Sequence, residues 1–153
     1  MAIEAPLSRY KRTNFYIYMG VCLVAALWFA YDGYLNQAFI AKHTDEQGKP
    51  TGTLVTNRVA PPFLVGGAAV LGGWLYAIRN RKVVAGDDAL IVAGRQRIPY
   101  DAIEKIDKTH FEKRGFFTIT YKNERGSMSH RTLSDREYDK LGPILDQLIA
   151  KIS

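Results

Sequence analysis

The chain contains one cysteine, Cys22, so no disulfide forms within it and cysteine usage points to no oxidising compartment. Histidine is almost as scarce. No two of His43, His110 and His130 are three or four residues apart and no cysteine joins them, so no metal centre is expected. There is no G-x-S-x-G elbow and no phosphate-binding loop; Gly86-Asp87-Asp88 and the paired glycines lack the strand–loop–helix setting such a loop needs. Asp87 and Asp88 are neighbours, which in an extended segment point to opposite faces, so they do not make a carboxylate pair. No catalytic residue, metal or cofactor is therefore assigned, and the chain reads as a non-enzyme. A concentrated basic face is missing too. The net charge is +6, but residues 83–153 hold twelve Lys/Arg against eleven Asp/Glu, which excludes a nucleic-acid partner held by phosphate contacts.

What the chain does have is two long apolar runs. Val59 to Ile78 covers twenty positions without a charge, and Arg79, Arg81 and Lys82 follow at once. A helix of that length rises about 30 Å, the thickness of a bilayer's hydrocarbon core. An upstream run, Asn14 to Tyr31, is preceded by Arg9, Lys11 and Arg12. Aromatic residues bracket this first run: Phe15, Tyr16 and Tyr18 at one end, Trp28, Tyr31 and Tyr34 at the other, as at headgroup depth. The run exceeds the roughly 7–15 residues of a signal-peptide core and no small-residue cleavage site follows it, so it is expected to be retained. The expectation is a membrane α-hairpin over residues 1–82, with spans at about 14–35 and 59–78, followed by a small α+β domain at 83–153.

Residues 1–13 read as a polar arm, loose until Tyr10. In the connection between the runs, Gly48 to Gly52 is a turn cluster and Thr53 to Thr56 reads as a short extended piece. Pro61 and Pro62 suit the first turn of the second helix, where a missing N–H does no harm. Small residues recur on one face of each span: Cys22, Ala26, Ala30 and Gly33 in the first, Gly66, Ala69, Gly73 and Ala77 in the second. Small residues allow close approach of helices in lipid, and the two rows are expected to pack on each other, with packing against another protein as the alternative.

Beyond Lys82 the pattern becomes that of strands and turns. Ala89 to Ala93 is a short apolar run and Gln96 to Pro99 a second extended piece. Ile103 to Phe111 fits a helix or an irregular strand. Phe117, Ile119 and Tyr121 alternate with polar residues, between turns at Lys113–Gly115 and Asn123–Gly126, and Ser127 to Leu133 returns as the partner strand. Ser134-Asp135-Arg136-Glu137 has the spacing of a capping box, and Tyr138, Leu141, Leu145, Leu148, Ile149 and Ile152 then fall on one helical face, interrupted at Gly142-Pro143.

Four segments carry a resemblance: Ala89-Leu-Ile-Val92, Arg97-Ile-Pro-Tyr-Asp-Ala-Ile103, Gly115-Phe-Phe-Thr-Ile-Thr-Tyr121 and Leu133-Ser-Asp-Arg-Glu137. In this order they resemble the bacterial pleckstrin-homology-like (PH-like) domains that stand beside transmembrane hairpins. The resemblance covers roughly 86–153, and about five of that fold's strands can be placed on it. It implies an antiparallel sheet or partial barrel closed by a C-terminal helix, and a binding or scaffolding role without catalytic residues.

The expected function is thus a membrane-anchored scaffold or accessory subunit that binds a membrane or cytoplasmic protein, or a second copy of itself. The alternative is an anionic-lipid sensor. Its headgroup contacts would be Arg79, Arg81 and Lys82 beside the second span and Lys113 and Arg114 at the hairpin tip, with Arg95 and Arg97 elsewhere on the sheet. Basic clusters close to both outer ends of the spans predict cytoplasmic termini, in a bacterial inner membrane.

Overall fold

The computed structural model describes residues 2–152. The chain forms two compact units, Thr13–Ala77 and Met1–Arg12 joined with Ile78–Ser153.

The helical unit is built on α1 (Arg9–Ala30), a π-helical turn (Tyr31–Leu35), the short α2 (Gln37–Lys42) and α3 (Gly52–Ile78). Each long helix, counting the π turn with α1, runs 27 residues and is long and apolar enough to cross a bilayer. The expected extended piece at Thr53–Thr56 is instead the first turn of α3, so Pro61 and Pro62 lie inside that helix. A proline there supplies no N–H to the carbonyl four residues back. Asn57 and Arg58 are thereby left with unused carbonyls.

The buried side of α3 is a heptad row: Leu54, Asn57, Ala68 and Leu75 are buried, with Pro61, Leu64 and Leu71 half-buried between them in alternating steps of three and four. The matching row on the first helix is Phe15, Met19, Cys22, Ala26, Phe29 and Gly33, of which Ala26 and Gly33 are buried. Cys22 and Ala30 are half-buried. The second expected row is a correction. Gly66, Ala69, Gly73 and Ala77 are all exposed, and a methyl group added at Gly66 or Gly73 would meet nothing within 4 Å. Small residues occupy two faces of α3, and the face that meets the first helix is the one carrying Ala68 and Gly72, where an added methyl would lie 3.3 Å from Met19 Sδ. In a Cys22→Ala background, cysteines at Met19 and Gly72 are therefore expected to cross-link within one chain, and cysteines at Ala26 and Gly73 are not. Faster cross-linking of the second pair would restore the small-residue rows.

Among the described residues the second unit contains seven strands. Sheet one runs in the order β1 (Ile3–Pro6), β2 (Lys82–Ala85), β3 (Ala89–Val92), β4 (Gln96–Pro99); sheet two is β5 (Ile103–Asp107), β6 (Phe116–Lys122), β7 (Met128–Ser134). All pairings are antiparallel. Among the described residues the two sheets are not joined into a closed barrel. Their apolar faces, with Val83, Leu90, Ile98, Phe117, Ile119 and Leu133, share one core with the C-terminal helix. A short helix (α4, Phe111–Arg114) links β5 to β6 and ends at Gly115 in the left-handed region. The C-terminal helix is α5 (Leu141–Ile152), whose buried residues are Leu141, Ile144, Leu145 and Leu148.

Two expectations fail here for one reason. The arm is not loose: Ile3 to Pro6 pairs with Ala85 to Lys82, and Ala5, Leu7 and Ser8 are fully or almost fully buried. Nor does a helix start at Ser134. The Asp139 amide donates to the Pro6 carbonyl (2.9 Å) and the Ser8 amide to the Glu137 carbonyl (3.0 Å), so backbone groups a helix would need are taken by the arm. Leu7 bridges Tyr138, and Lys140 turns left-handed (φ 60°) before α5 begins. Gly142-Pro143 accordingly lies in the first turn of α5 and does not interrupt it.

Candidate functional site

The densest polar assembly in the sheet unit holds the start of α1. Ser8 caps the helix: its Oγ accepts from the Lys11 amide (3.0 Å) and donates to the Arg136 carbonyl (2.5 Å). The Arg9 amide donates to Asp139 Oδ2 (3.1 Å), placing a carboxylate at the positive end of the helix dipole. Lys11 Nζ pairs with Glu137 (3.1 Å). Beneath lies Tyr138, 1% exposed, its phenol pushed above the usual range first by burial and then by Glu137. The segment 134–139 thus straps the N-terminal arm down on the sheet unit.

The same segment carries a basic hollow. Lys113, Arg114 and Arg136 line it together with Asp135, whose carboxylate sits where a side chain at Gly115 would have to go. Lys113 and Arg114 are exposed, but they form the last turn of α4 and not the tip of a hairpin. Arg136 was not legible as part of this group, because it falls in the turn that mimics a capping box. Two acidic groups, Asp135 and Glu112, dilute the charge. Of the other expected headgroup residues, Lys82 pairs with Glu4 (2.6 Å), Arg81 is half-buried with its charge acting on Tyr138, and Arg79 is exposed.

A larger cleft of about 1020 Å³ lies between the β3–β4 turn, the turn at Asp101–Ala102 and the β6–β7 turn. Arg95, Arg97, Lys122 and Arg125 line it together with Asp101 and Glu124. Arg97 is paired with Asp88 and Lys122 with Glu104 (2.9 Å), so the cleft is close to neutral. Its floor is fixed by a hydrogen bond from Gln96 to the buried Tyr121 hydroxyl. On the other side of sheet one the Tyr100 phenol, raised by burial and by Asp88 and Asp87, donates to the Gly86 carbonyl (2.8 Å). Asp107, held low by its hydrogen bonds from Thr109, starts the turn into α4. Among the described residues no three His, Cys, Asp or Glu side chains converge as a metal site would require.

In the helical unit the polar groups gather at the π turn. Tyr34 Oη donates to the Arg58 carbonyl (3.0 Å), one of the two carbonyls released by the prolines, and Arg58 Nε donates back to the Gly33 carbonyl (2.9 Å). The Arg58 guanidinium also lies 5.8 Å from the centre of the Tyr34 ring. The second released carbonyl, Asn57 O, is packed against Gly33: a methyl there would lie 2.9 Å from it. Asp32 is taken up locally, accepting from Asn36 Nδ2 (2.8 Å).

No protein-family model matches the chain, and comparison with curated proteins and with solved structures finds no match.

Proposed function

We propose that this protein is a non-catalytic membrane-anchored scaffold or accessory subunit, whose PH-like sheet unit binds a protein partner at the cytoplasmic face. One observation carries the reading. The two apolar helices are inserted between β1 and β2, strands that pair directly. Their apolar side chains are turned outward: Leu27, Phe63 and Val70 are each more than 70% exposed, which is costly in water and natural in lipid. Pairing of β1 with β2 requires both ends of the insertion to lie on one side of a bilayer, in keeping with the basic residues that flank each end. Seven strands in antiparallel sheets of four and three, followed by a helix that covers their core, support the PH-like assignment.

The second reading, headgroup recognition, is favoured by the position of Arg136. Its carbonyl holds Ser8 at the start of α1 while its side chain lines the hollow with Lys113 and Arg114. Hydrogen exchange on the full chain in nanodiscs separates the two. The scaffold reading expects residues 113–116 and 134–136 to exchange equally in phosphatidylcholine discs and in discs with one-third phosphatidylglycerol. Slowing of five-fold or more in the anionic discs, lost in Lys113→Glu/Arg114→Glu, would replace it with lipid sensing.

A further inference from the structure

We infer that the outer face of α1 holds one aminophospholipid of the leaflet farther from the termini, with its ammonium on Asp32 beside the rings of Trp28 and Tyr31 and an acyl chain lying along the helix toward Gly20. The inference rests on the membrane-anchor part of the proposed function and adds a ligand to it.

Asp32 stands in the π turn that ends the first helix and is half-buried, although it lies outside the row that packs on α3. One carboxylate oxygen accepts from Asn36 Nδ2 (2.8 Å), and among the described residues no cation pairs with either oxygen. Arg58, which also reaches the π turn, is engaged by the Gly33 carbonyl and the Tyr34 ring instead. A carboxylate within a span is costly unless it is paired, so Asp32 calls for a cation from outside the chain.

The surroundings of Asp32 have the shape of a lipid. With Val24, Leu27, Trp28, Tyr31 and Asn36 it lines a hollow of about 530 Å³. A second hollow of about 550 Å³ continues the first along α1, sharing Val24 and Trp28 and reaching Gly20, where an added methyl would meet nothing within 4 Å. The two form one groove, apolar along its length, whose single charged group lies at the headgroup end. From Gly20 to Asp32 a helix rises about 18 Å, close to one leaflet's share of about 15 Å of the hydrocarbon core. Val24, Leu27, Trp28 and Tyr31 are large and exposed, whereas a second helix in lipid approaches over small residues, so this face suits an acyl chain.

Donors and acceptors select the headgroup. The open oxygen of Asp32 accepts hydrogen bonds, which a primary ammonium donates and a trimethylammonium does not. The rings of Trp28 and Tyr31 line the same hollow and add cation–π attraction. The Trp28 indole N–H and the Tyr31 hydroxyl, unpartnered among the described residues, are the donors that a phosphate diester accepts from. An anionic headgroup without an amine would meet Asp32 as a like charge.

The test uses the full chain in phosphatidylcholine nanodiscs containing one-fifth phosphatidylethanolamine, with bromine on the acyl chains of one lipid at a time to quench tryptophan on contact. The chain has two tryptophans, so Trp74→Phe leaves Trp28 as reporter and Trp28→Phe leaves Trp74. Per mole of lipid, the ethanolamine lipid is expected to quench Trp28 roughly three-fold or more above the choline lipid, the order of one net hydrogen bond. Trp74, exposed on α3, should be quenched equally by both. Asp32→Asn keeps an oxygen for Asn36 and replaces the open acceptor with an amide donor, so the Trp28 ratio should return to about one. Equal quenching of Trp28 by both lipids in the parent chain, or a preference that survives Asp32→Asn, overturns the lipid site and leaves the anchor standing. Quenching of Trp74 without quenching of Trp28 overturns it as well, since protein, such as a second copy, then covers the groove. Quenching of neither tryptophan removes the anchor along with the site.

Discussion

Removal of residues 2–7 from the full chain is expected to unfold the sheet unit while leaving the two long helices formed. The loss includes the whole β1–β2 ladder, the buried Ala5 and Leu7, and the Pro6 carbonyl that accepts from Asp139. Truncating a buried leucine alone costs about 2–5 kcal/mol. A small domain has about 5–15 kcal/mol in total. The deletion also exposes the edge of β2 and releases the strap at 134–139, so the combined loss should exceed what the unit can absorb. Limited trypsin digestion in nanodiscs reads the result: the wild-type sheet unit should resist and the deleted form should be cut throughout 82–151. Leu7→Ala, which keeps the backbone, should lie between them. A deleted chain as resistant as wild type would mean the arm is a passive tail.

Gly33→Leu is expected to be the most damaging single change in the helical unit. The obstacle at Gly33 is backbone: an added Cβ lies 2.9 Å from Asn57 O and 3.0 Å from the Asn57 carbonyl carbon. No rotamer change relieves that, so the helices must separate, and separation also breaks the Arg58–Gly33 and Tyr34–Arg58 hydrogen bonds. Overpacking of this sort costs about 1–3 kcal/mol, and a hydrogen bond between membrane helices adds about 0.6 on average. Gly73→Leu, on the open face, should stay within about 0.5 kcal/mol of wild type. Unfolding in bicelles measured by steric trapping would rank the two. Equal destabilisation would show that the Gly33 contact does not hold the pair together.

How much of this was legible depends on how local each signal is. The strands β3, β4, β6 and β7 announce themselves by alternation and by turn residues a few positions away, and the structure keeps them nearly where the pattern sets them. β1 also alternates, with Ile3, Ala5 and Leu7 turned inward around Glu4 and Pro6, but four residues with a proline at the end carry little weight until the partner strand is known. Ser134 to Glu137 illustrates the reverse case. Its spacing is that of a helix start, and only the remote arm reveals that those amides and carbonyls are engaged elsewhere. The prolines of α3 mislead because a helix interior ordinarily rejects them, and here Tyr34 takes one of the released carbonyls while the other packs against Gly33. Small residues mark close approach without saying which face approaches: Gly72 and Gly73 are adjacent in sequence and point to different surroundings. For the candidate site, Lys113 and Arg114 were readable as exposed residues, although they lie in α4 and not in a turn, whereas Arg136 depends on tertiary placement.

The insertion of the helices between paired strands also sets a timetable. Ile3 leaves the ribosome first and must wait for Ala85, about eighty residues later. At roughly 5–20 residues per second, that is a delay of about 4–16 s. During that interval both apolar helices are made and, in the membrane reading, threaded into the bilayer. In that reading the sheet closes only over an insertion that has already gone in and come back. In that reading, a chain in which only one of the two spans crossed would strand Ile3–Pro6 across the membrane from Val83, and the sheet unit would stay open to proteases. Completion of β1 against β2 acts as a proofreading step: in the membrane reading, a folded sheet is itself the record that both spans crossed and brought the two ends of the insertion to one side.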